Sequence, residues 1–327
     1  MVEQARQRSS WPSSRTLRVL EIPRSTYQRW RKAAPLWRAA PRSSPGCLFA
    51  LLPSEERAIR KYALEHPEIR HRELAWRMLD EGVCAVSSSS VYRVLRKANL
   101  VCRWQPSAKA QGTGREARPT HPDEQWQTDI KYVRGSRGNY FLLSFLDVYS
   151  RYVVHHALLR QMDGRTVSIE AAAALEEPGR VSTPVIQSDH GSGFISREFA
   201  ETLSEFGVTH KKIRPHTPTD NAEIERYHRT LEEPLTEVDA TDFVATSQAI
   251  GRIIERYNHE RLHSALSFLR PVDWYRGKPE TLLAQRRRKL VQARELRKQE
   301  NLKLRQRLIP WPQGPEPSLV SAGGLSH

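Results

Sequence analysis

Cysteine is scarce in this sequence of 327 residues, which contains only Cys47, Cys84 and Cys102. An odd number of cysteines without a CxxC pair argues against both a disulfide framework and a zinc site. Sparse cysteines are typical of proteins from a reducing compartment. The sequence therefore predicts a cytoplasmic protein.

Long apolar runs and two common catalytic motifs are also missing. No stretch of about 18 apolar residues occurs, so no membrane span is predicted. The first residues, MVEQARQRSSWPSS, lack the apolar core of a secretion signal. Neither a GxSxG nucleophile motif nor a GxxxxGK(S/T) phosphate loop is present. Any catalysis must therefore use other groups.

Acidic residues are few at both ends of the chain, although the net charge is +15 overall. Residues 1–120 hold 23 basic and 10 acidic side chains, and residues 280–308 hold 10 and 3, whereas residues 121–279 hold 19 and 23. Basic flanking regions favour a polyanionic partner such as DNA. A GC-rich genome is the alternative explanation for the excess of arginine. The acidic centre suits phosphate binding only if cations lie between its carboxylates and the phosphate.

The N-terminal third reads as helical. SRTLRVLEIPRSTYQRWRK (Ser14–Lys32) predicts two helices joined at Ile22-Pro23, with Ser25 capping the second. This is the helix-turn-helix pattern, whose second helix enters the major groove of DNA. A second helical unit with a basic last helix is expected over Pro53–Val101; a plain helical spacer with a solvated basic face is its alternative.

The composition changes after an exposed linker. From residue 121 onward, the pattern predicts three strands, a helix, a strand, a helix, a strand and then further helices. The economical arrangement is a mixed α/β sheet with helices on its faces. Within this region, Asp163 is expected to cap a helix, and Asp147 is expected to have a structural role, pairing with Arg151.

Three acids stand out by their positions in these elements. Asp129 lies inside a predicted strand, WQTDIKYV, where aspartate is depleted. Asp189 follows a strand, where ligand sites of α/β sheets gather. Glu225 lies one turn into a helix. If the first and fourth strands are neighbours, the two aspartates lie side by side and need cations to remain ionised together. Hard oxygen ligands of this kind suit Mg²⁺, and a third acid could complete a two-metal site for phosphodiester chemistry.

Five segments, taken in order, resemble the DDE transposases and retroviral integrases, and most closely the transposases of bacterial insertion sequences. The segments are WQTDIKYV, FLDVYSRYVV, QSDHGSGF, TDNAEIERYHRTL and YNHERLHSALSFLRPVDW. The 35 residues between Asp189 and Glu225 also match the family's spacing. The resemblance implies a ribonuclease H-like fold, two Mg²⁺ or Mn²⁺ ions, and DNA cleavage with strand transfer. Asp129, Asp189 and Glu225 match the three catalytic, metal-binding acids of the family.

Some residues near these acids leave alternatives or depart from the family pattern. Glu223 is the alternative to Glu225, although the family's DNAxxE pattern selects Glu225. Gln187 and His190 stand where relatives often have His and Arg, which affects substrate handling more than the acids. A zinc site at His259 and His263 is disfavoured because a third ligand is not evident.

The C-terminal region is predicted to be a basic helix followed by a disordered tail. Leucines at heptad spacing, interrupted by Arg297, leave a coiled coil and a DNA-backbone-binding helix equally open. The full prediction divides the chain into six segments: a helix-turn-helix segment at 1–45, a second helical unit at 46–102, a linker at 103–120, the ribonuclease H-like core at 121–279, the basic helix at 280–308 and the tail at 309–327.

The function expected from the resemblance is that of a transposase, acting on transposon ends and target DNA. Two ends must meet, so a homo-oligomer on DNA is expected, without a membrane partner and at the bacterial nucleoid. Two alternatives remain: a DNA-binding regulator that has kept an inactive core, and a metal-dependent nuclease without strand transfer.

Overall fold

The computed structural model describes Val2 and residues 9–29, 47–101, 118–135, 138–214 and 221–308. The chain divides into two compact units, residues 1–52 with 294–327, and residues 53–293. Within the described ranges, no helix has the length and apolarity that crossing a bilayer requires. Most of the linker, Cys102, Asp220 and the tail lie outside the described residues, as do residues 30–32 of the predicted second helix.

The first unit contains the predicted N-terminal helical pair. Helix α1 spans Ser13–Val19, and residues 24–29 are helical after a turn at Ile22-Pro23. Leu17 and Tyr27 bury their side chains against each other's helix. These contacts give the turn an apolar core on which both helices rest.

The second unit begins with three helices, α2 (Pro53–Glu65), α3 (His71–Asp80) and α4 (Ser88–Lys97). The Ser87 side chain accepts a hydrogen bond from the Ser90 N–H and so caps α4. The buried face of α4 is apolar and its basic residues are exposed. The apolar core of the three helices contains Ile59, Leu74, Met78, Val91, Val94 and Leu95.

A five-stranded mixed sheet follows. Its strands are β1 (Gln125–Gly135), β2 (Gly138–Asp147), β3 (Val153–Leu159), β4 (Val185–Ser188) and β5 (Thr209–Lys212). Their order is β3-β2-β1-β4-β5, with β1–β2 and β2–β3 antiparallel and β1–β4 and β4–β5 parallel. This confirms the predicted mixed α/β sheet preceded by helical units.

Helices cover both faces of the sheet. On one face lie α5 (Gly164–Glu176) and α6 (Arg197–Glu205), around a core that includes Trp126 and Phe145. On the other lie α7 (Ala222–Thr236) and α8 (Phe243–His259), over Leu142 and Leu146. Asp163 caps α5 by accepting the Thr166 N–H, as the sequence predicts.

Two short elements and a long helix complete the second half of the chain. They are a 3₁₀ turn at Ser264–Leu266, helix α9 (Pro271–Tyr275) and helix α10 (Pro279–Leu308). Along the heptad row of α10, Leu283 and Leu290 are half-buried, Arg297 is buried and Leu304 is exposed. The coiled coil and the DNA-backbone-binding helix both stay open as predictions.

One arginine of α10 joins the three-helix part to the rest of the second unit. The Arg286 guanidinium is buried, donates from Nε to Asp80 on α3 at 2.9 Å, and donates from Nη1 to the Ser267 carbonyl at 3.0 Å. It also lies 4.9 Å from the Trp76 ring. Ser267 and Phe268 both have a positive φ, 56° and 57°, a backbone strain that surrounding contacts must hold.

Replacing Arg286 is therefore expected to weaken the fold. Arg286→Met leaves the Ser267 carbonyl and Asp80 without their donor, and should lower the free energy of unfolding by about 2–3 kcal/mol. Chemical denaturation measures the change. Arg287→Met, at the exposed neighbouring position, is the matched control. Equal stability of the two variants would contradict the role given to Arg286.

Two buried aspartates lie where β1 begins and β2 ends. Asp147 accepts hydrogen bonds from the Asp123 N–H and from the N–H and hydroxyl of Ser150. Asp123 in turn accepts from Trp126 Nε1 and from the Tyr275 hydroxyl. Burial raises the pKa of Asp147 to about 6, against the opposing effect of its three hydrogen bonds.

A raised pKa gives a signed prediction for stability. The folded state binds the Asp147 proton more tightly than the unfolded state, so this stabilisation is full below about pH 4 and is lost as the pH rises through about 6. The loss is about 3 kcal/mol, so Asp147→Asn should reduce the fall in unfolding free energy between those pH values. In Asp163, by contrast, hydrogen bonds from Thr166 lower the pKa. The ionised Asp163 therefore stabilises the fold above the usual aspartate pKa, and this stabilisation is lost as the pH falls; Asp163→Asn should remove it. An unchanged dependence of unfolding free energy on pH in Asp147→Asn would contradict the assignment of Asp147.

Candidate active site

Strand β1 and helix α7 run in the same direction and contact each other in step. Two residues of a strand span about 6.6 Å and four residues of a helix about 6.0 Å, so the two elements stay matched over a few turns. The three contacts are Gln127 Oε1 with the Ile224 N–H at 3.0 Å, Asp129 Oδ2 with His228 Nδ1 at 3.3 Å, and Lys131 Nζ with Glu232 Oε1 at 3.7 Å.

Asp129 is the middle strand residue of this series. Its Oδ1 accepts the N–H of Ile130 at 2.9 Å, and its Oδ2 faces His228. About a quarter of its side chain is exposed. The carboxylate is thus fixed on the sheet surface while remaining accessible.

Glu225 lies on α7 close to Asp129. Partial burial, together with the negative charge of Asp129, raises the pKa of the Glu225 carboxyl, while Arg229 and His228 act in the opposite direction. Asp129 is therefore near enough to affect the ionisation of Glu225.

Asp189 directly follows β4, the parallel neighbour of β1. The last paired residues of these strands are Gln127 and Gln187, so Asp129 and Asp189 each come two residues later on strands about 4.8 Å apart. The expectation that the first and fourth strands are neighbours is confirmed. Asp189 Oδ1 accepts the Gly191 N–H at 2.9 Å, and a Cβ at position 191 would lie 3.0 Å from that oxygen, so glycine leaves room for the turn.

The three acids are not assembled into one metal-binding group. Across the described ranges, no cluster of three or more His, Cys, Asp or Glu side chains is arranged to hold an ion. Asp129 is near enough to affect the ionisation of Glu225, and Asp189 directly follows β4, the strand adjacent to β1. The assignment of all three as metal ligands therefore stays a prediction.

The donor chemistry nevertheless fits a divalent cation. The candidate ligands are carboxylate oxygens, which Mg²⁺ and Mn²⁺ prefer. Partial burial and, after it, the negative charge of Asp129 raise the pKa of Glu225, and a bound cation would relieve the repulsion between the two carboxylates.

Glu223, the alternative acid, has a different partner. Arg151 Nη2 lies 2.9 Å from Glu223 Oε1, and Arg151 Nη1 donates to the Val148 carbonyl at 2.6 Å. Both side chains of this ion pair are largely buried. The expected pairing of Arg151 with Asp147 is wrong, since Asp147 is hydrogen-bonded to Ser150 instead. Glu223 thus anchors α7, which leaves Glu225 as the helical acid beside Asp129.

Sequence reasoning missed two partners of this site, Gln127 and His228. Residue spacing in the sequence could have pointed to both. Gln127 and Asp129 are two residues apart and so share a face of the strand, and Glu225 and His228 are three apart and so share a face of the helix. Neither period identifies which strand faces which helix.

Comparisons with known proteins agree with this architecture. Residues 119–218 match one family model described as integrase core domain, and residues 206–271 match a second with the same description. The transposase for insertion sequence element IS904 from Lactococcus lactis is 28% identical over 158 residues, which is 47% of this chain and 62% of that protein, so under two thirds of its length is covered. An Escherichia coli protein described as transposase InsK of IS150 is 24% identical over 279 residues, 82% of this chain and 94% of that protein.

Solved retroviral proteins also align with the chain. The catalytic core domain of HTLV-2 integrase, solved in complex with magnesium, has 18% identity and a TM-score of 0.38, covering 48% of this chain and 99% of that one. A simian T-cell lymphotropic virus intasome has 18% identity and a TM-score of 0.43, and the alignment covers 66% of this chain and 73% of that one.

The mixed sheet and its acid-bearing strand and helix define an integrase-type core. Residues 119–271 thus match an integrase core domain, and the chain is similar to transposases of insertion sequences.

Proposed function

We propose that this protein is a DDE transposase that cleaves DNA at the ends of an insertion sequence and joins the freed strand to a second DNA. The observation that carries the proposal is the integrase core domain match over residues 119–271 and the similarity to insertion-sequence transposases. In support, Asp129 lies near enough to Glu225 for its negative charge to contribute to the raised pKa of that acid. Asp189, at the end of the adjacent strand, is the third proposed catalytic acid.

Asp129, Asp189 and Glu225 would hold two Mg²⁺ or Mn²⁺ ions. When bound, such ions activate the attacking hydroxyl and stabilise the leaving oxygen of a phosphodiester. The protein's own contribution is orientation: β1 fixes Asp129, the turn at Gly191 fixes Asp189, and α7 presents Glu225. Arg226 and Arg229 are exposed beside Glu225 on α7 and are placed to bind DNA phosphates.

DNA recognition would fall to the basic flanking regions. In α4 the exposed side chains of Arg93, Arg96 and Lys97 form a basic face suited to the phosphate backbone. We assign end recognition to the segments 1–45 and 46–102, and backbone contact to the basic helix at 280–308. The linker at 103–120 would connect end recognition to the core at 121–279.

A homo-oligomer is part of this proposal because two transposon ends must be brought together for joining. The enzyme would act at the bacterial nucleoid, where both end and target DNA lie. A nuclease without strand transfer and a regulator with an inactive core are the two competing functions.

An assay with end-containing DNA and Mg²⁺ separates these functions. Joined products support the transposase, nicks alone indicate a nuclease, and binding without cleavage indicates a regulator.

Glu225→Gln tests the site itself. The variant removes one negative ligand while keeping the shape of the side chain, so cleavage should fall roughly 100-fold or more, and binding of end DNA should persist. Gel assays of cleavage and of binding measure the two effects.

Glu223→Gln is the matched control two residues away. It breaks the ion pair with Arg151 and should lower thermal stability while folded molecules still cut. A Glu225→Gln enzyme that cuts at the normal rate, or a Glu223→Gln enzyme that alone loses cleavage, would refute the assignment.

A further inference from the structure

His228 is a buried polar side chain beside the candidate acids that the proposed chemistry does not use. It lies on α7 three residues after Glu225, and only 8% of the residue is exposed. Its Nδ1 is 3.3 Å from Asp129 Oδ2. The imidazole therefore occupies the middle contact of the three that join β1 to α7.

The surroundings of the ring indicate which nitrogen carries the proton. His228 Nε2 is buried and has no hydrogen-bond partner among the described residues. A proton on Nε2 would be a buried donor without an acceptor, which is more costly than a buried lone pair. The contact of the ring with the Asp129 carboxylate is therefore made through Nδ1, whose proton is directed at Oδ2.

Neighbouring contacts hold the ring in this place. The Tyr227 ring lies 5.3 Å from the His228 ring, and the Tyr227 hydroxyl lies 3.3 Å from Ser144 Oγ on β2. The tight flanking contact between Gln127 and the Ile224 N–H fixes α7 along β1 at this level. A ring that neither slides nor rotates freely can impose an orientation on its partner.

We propose that His228 is a positioning residue that fixes the Asp129 carboxylate for divalent-ion binding. With Oδ1 receiving the Ile130 N–H and Oδ2 facing His228, both oxygens of Asp129 are restrained. Each oxygen keeps a second lone pair for a cation. This role rests on the proposed function, because it matters only if Asp129 is a ligand.

Losing a partner that orients a metal ligand typically costs 10- to 100-fold in metal affinity. His228→Leu keeps an apolar side chain of similar bulk and removes the polar contact. It should weaken Mn²⁺ binding about 10- to 100-fold. The measurement is calorimetric titration of Mn²⁺ into the full chain without DNA, which reads out binding independently of activity.

Two further variants separate positioning from packing. In His228→Asn the side-chain amide nitrogen falls near the place of the imidazole Nδ1, so Mn²⁺ affinity should stay within a few fold of the wild type. In His228→Gln the amide nitrogen falls near the place of Nε2, so affinity should drop as in His228→Leu. A structural role alone would not favour Asn over Gln.

Glu232→Gln is the matched control, because it weakens the exposed contact with Lys131 without touching Asp129. Its Mn²⁺ affinity should equal that of the wild type. If the wild type binds Mn²⁺ and all His228 variants bind it equally well, the positioning role is refuted while the proposed function stands. If the wild-type chain binds no Mn²⁺, both the metal chemistry and the role of His228 are refuted.

Discussion

The in-step contact between strand β1 and helix α7 is the constraint on which the candidate site depends. The strand advances slightly further per pair of residues than the helix does per four, so the match cannot continue indefinitely. The contact distances lengthen along it, from 3.0 Å at Gln127 to 3.3 Å at Asp129 and 3.7 Å at Lys131. The first two contacts are the tight ones, and Glu225 lies between their helical partners, Ile224 and His228. The acids are therefore placed where the two elements fit best.

Helix geometry also explains how two glutamates two residues apart acquire different roles. Residues at this spacing lie about 200° apart around a helix, so Glu223 and Glu225 cannot face the same neighbour. Glu223 is drawn to the buried guanidinium of Arg151, and that pair fixes the rotation of α7 at its first turn. Once this rotation is set, Glu225 is directed toward Asp129 and not toward the core. A structural ion pair thereby determines which acid is available for chemistry.

Much of this arrangement could be predicted from sequence, because it depends on local patterns. Strand alternation, the cap at Asp163 and the strand-end position of Asp189 all follow from residues close in the chain, and the order of elements limited the possible sheets. The contact of Asp129 with His228 joins residues 99 positions apart and depends on how α7 is rotated over the sheet, which no local pattern specifies. The expected pairing of Asp147 with Arg151 failed for two reasons: a local partner, Ser150, satisfied the acid, and a distant partner on α7, Glu223, satisfied the arginine.

An acidic centre in a basic protein still requires a force that keeps like charges together. Partial burial and the negative charge of Asp129 raise the pKa of Glu225, and Arg229 and His228 oppose that rise. Further stabilisation comes from beneath the helix, where Ile224, Tyr227 and Leu231 are almost completely buried against the sheet. Burying side chains of this size contributes roughly 1.5–3 kcal/mol each, which exceeds the repulsion expected between partly solvated carboxylates. Apolar packing thus holds α7, and with it Glu225, against the sheet that carries Asp129 before any cation arrives.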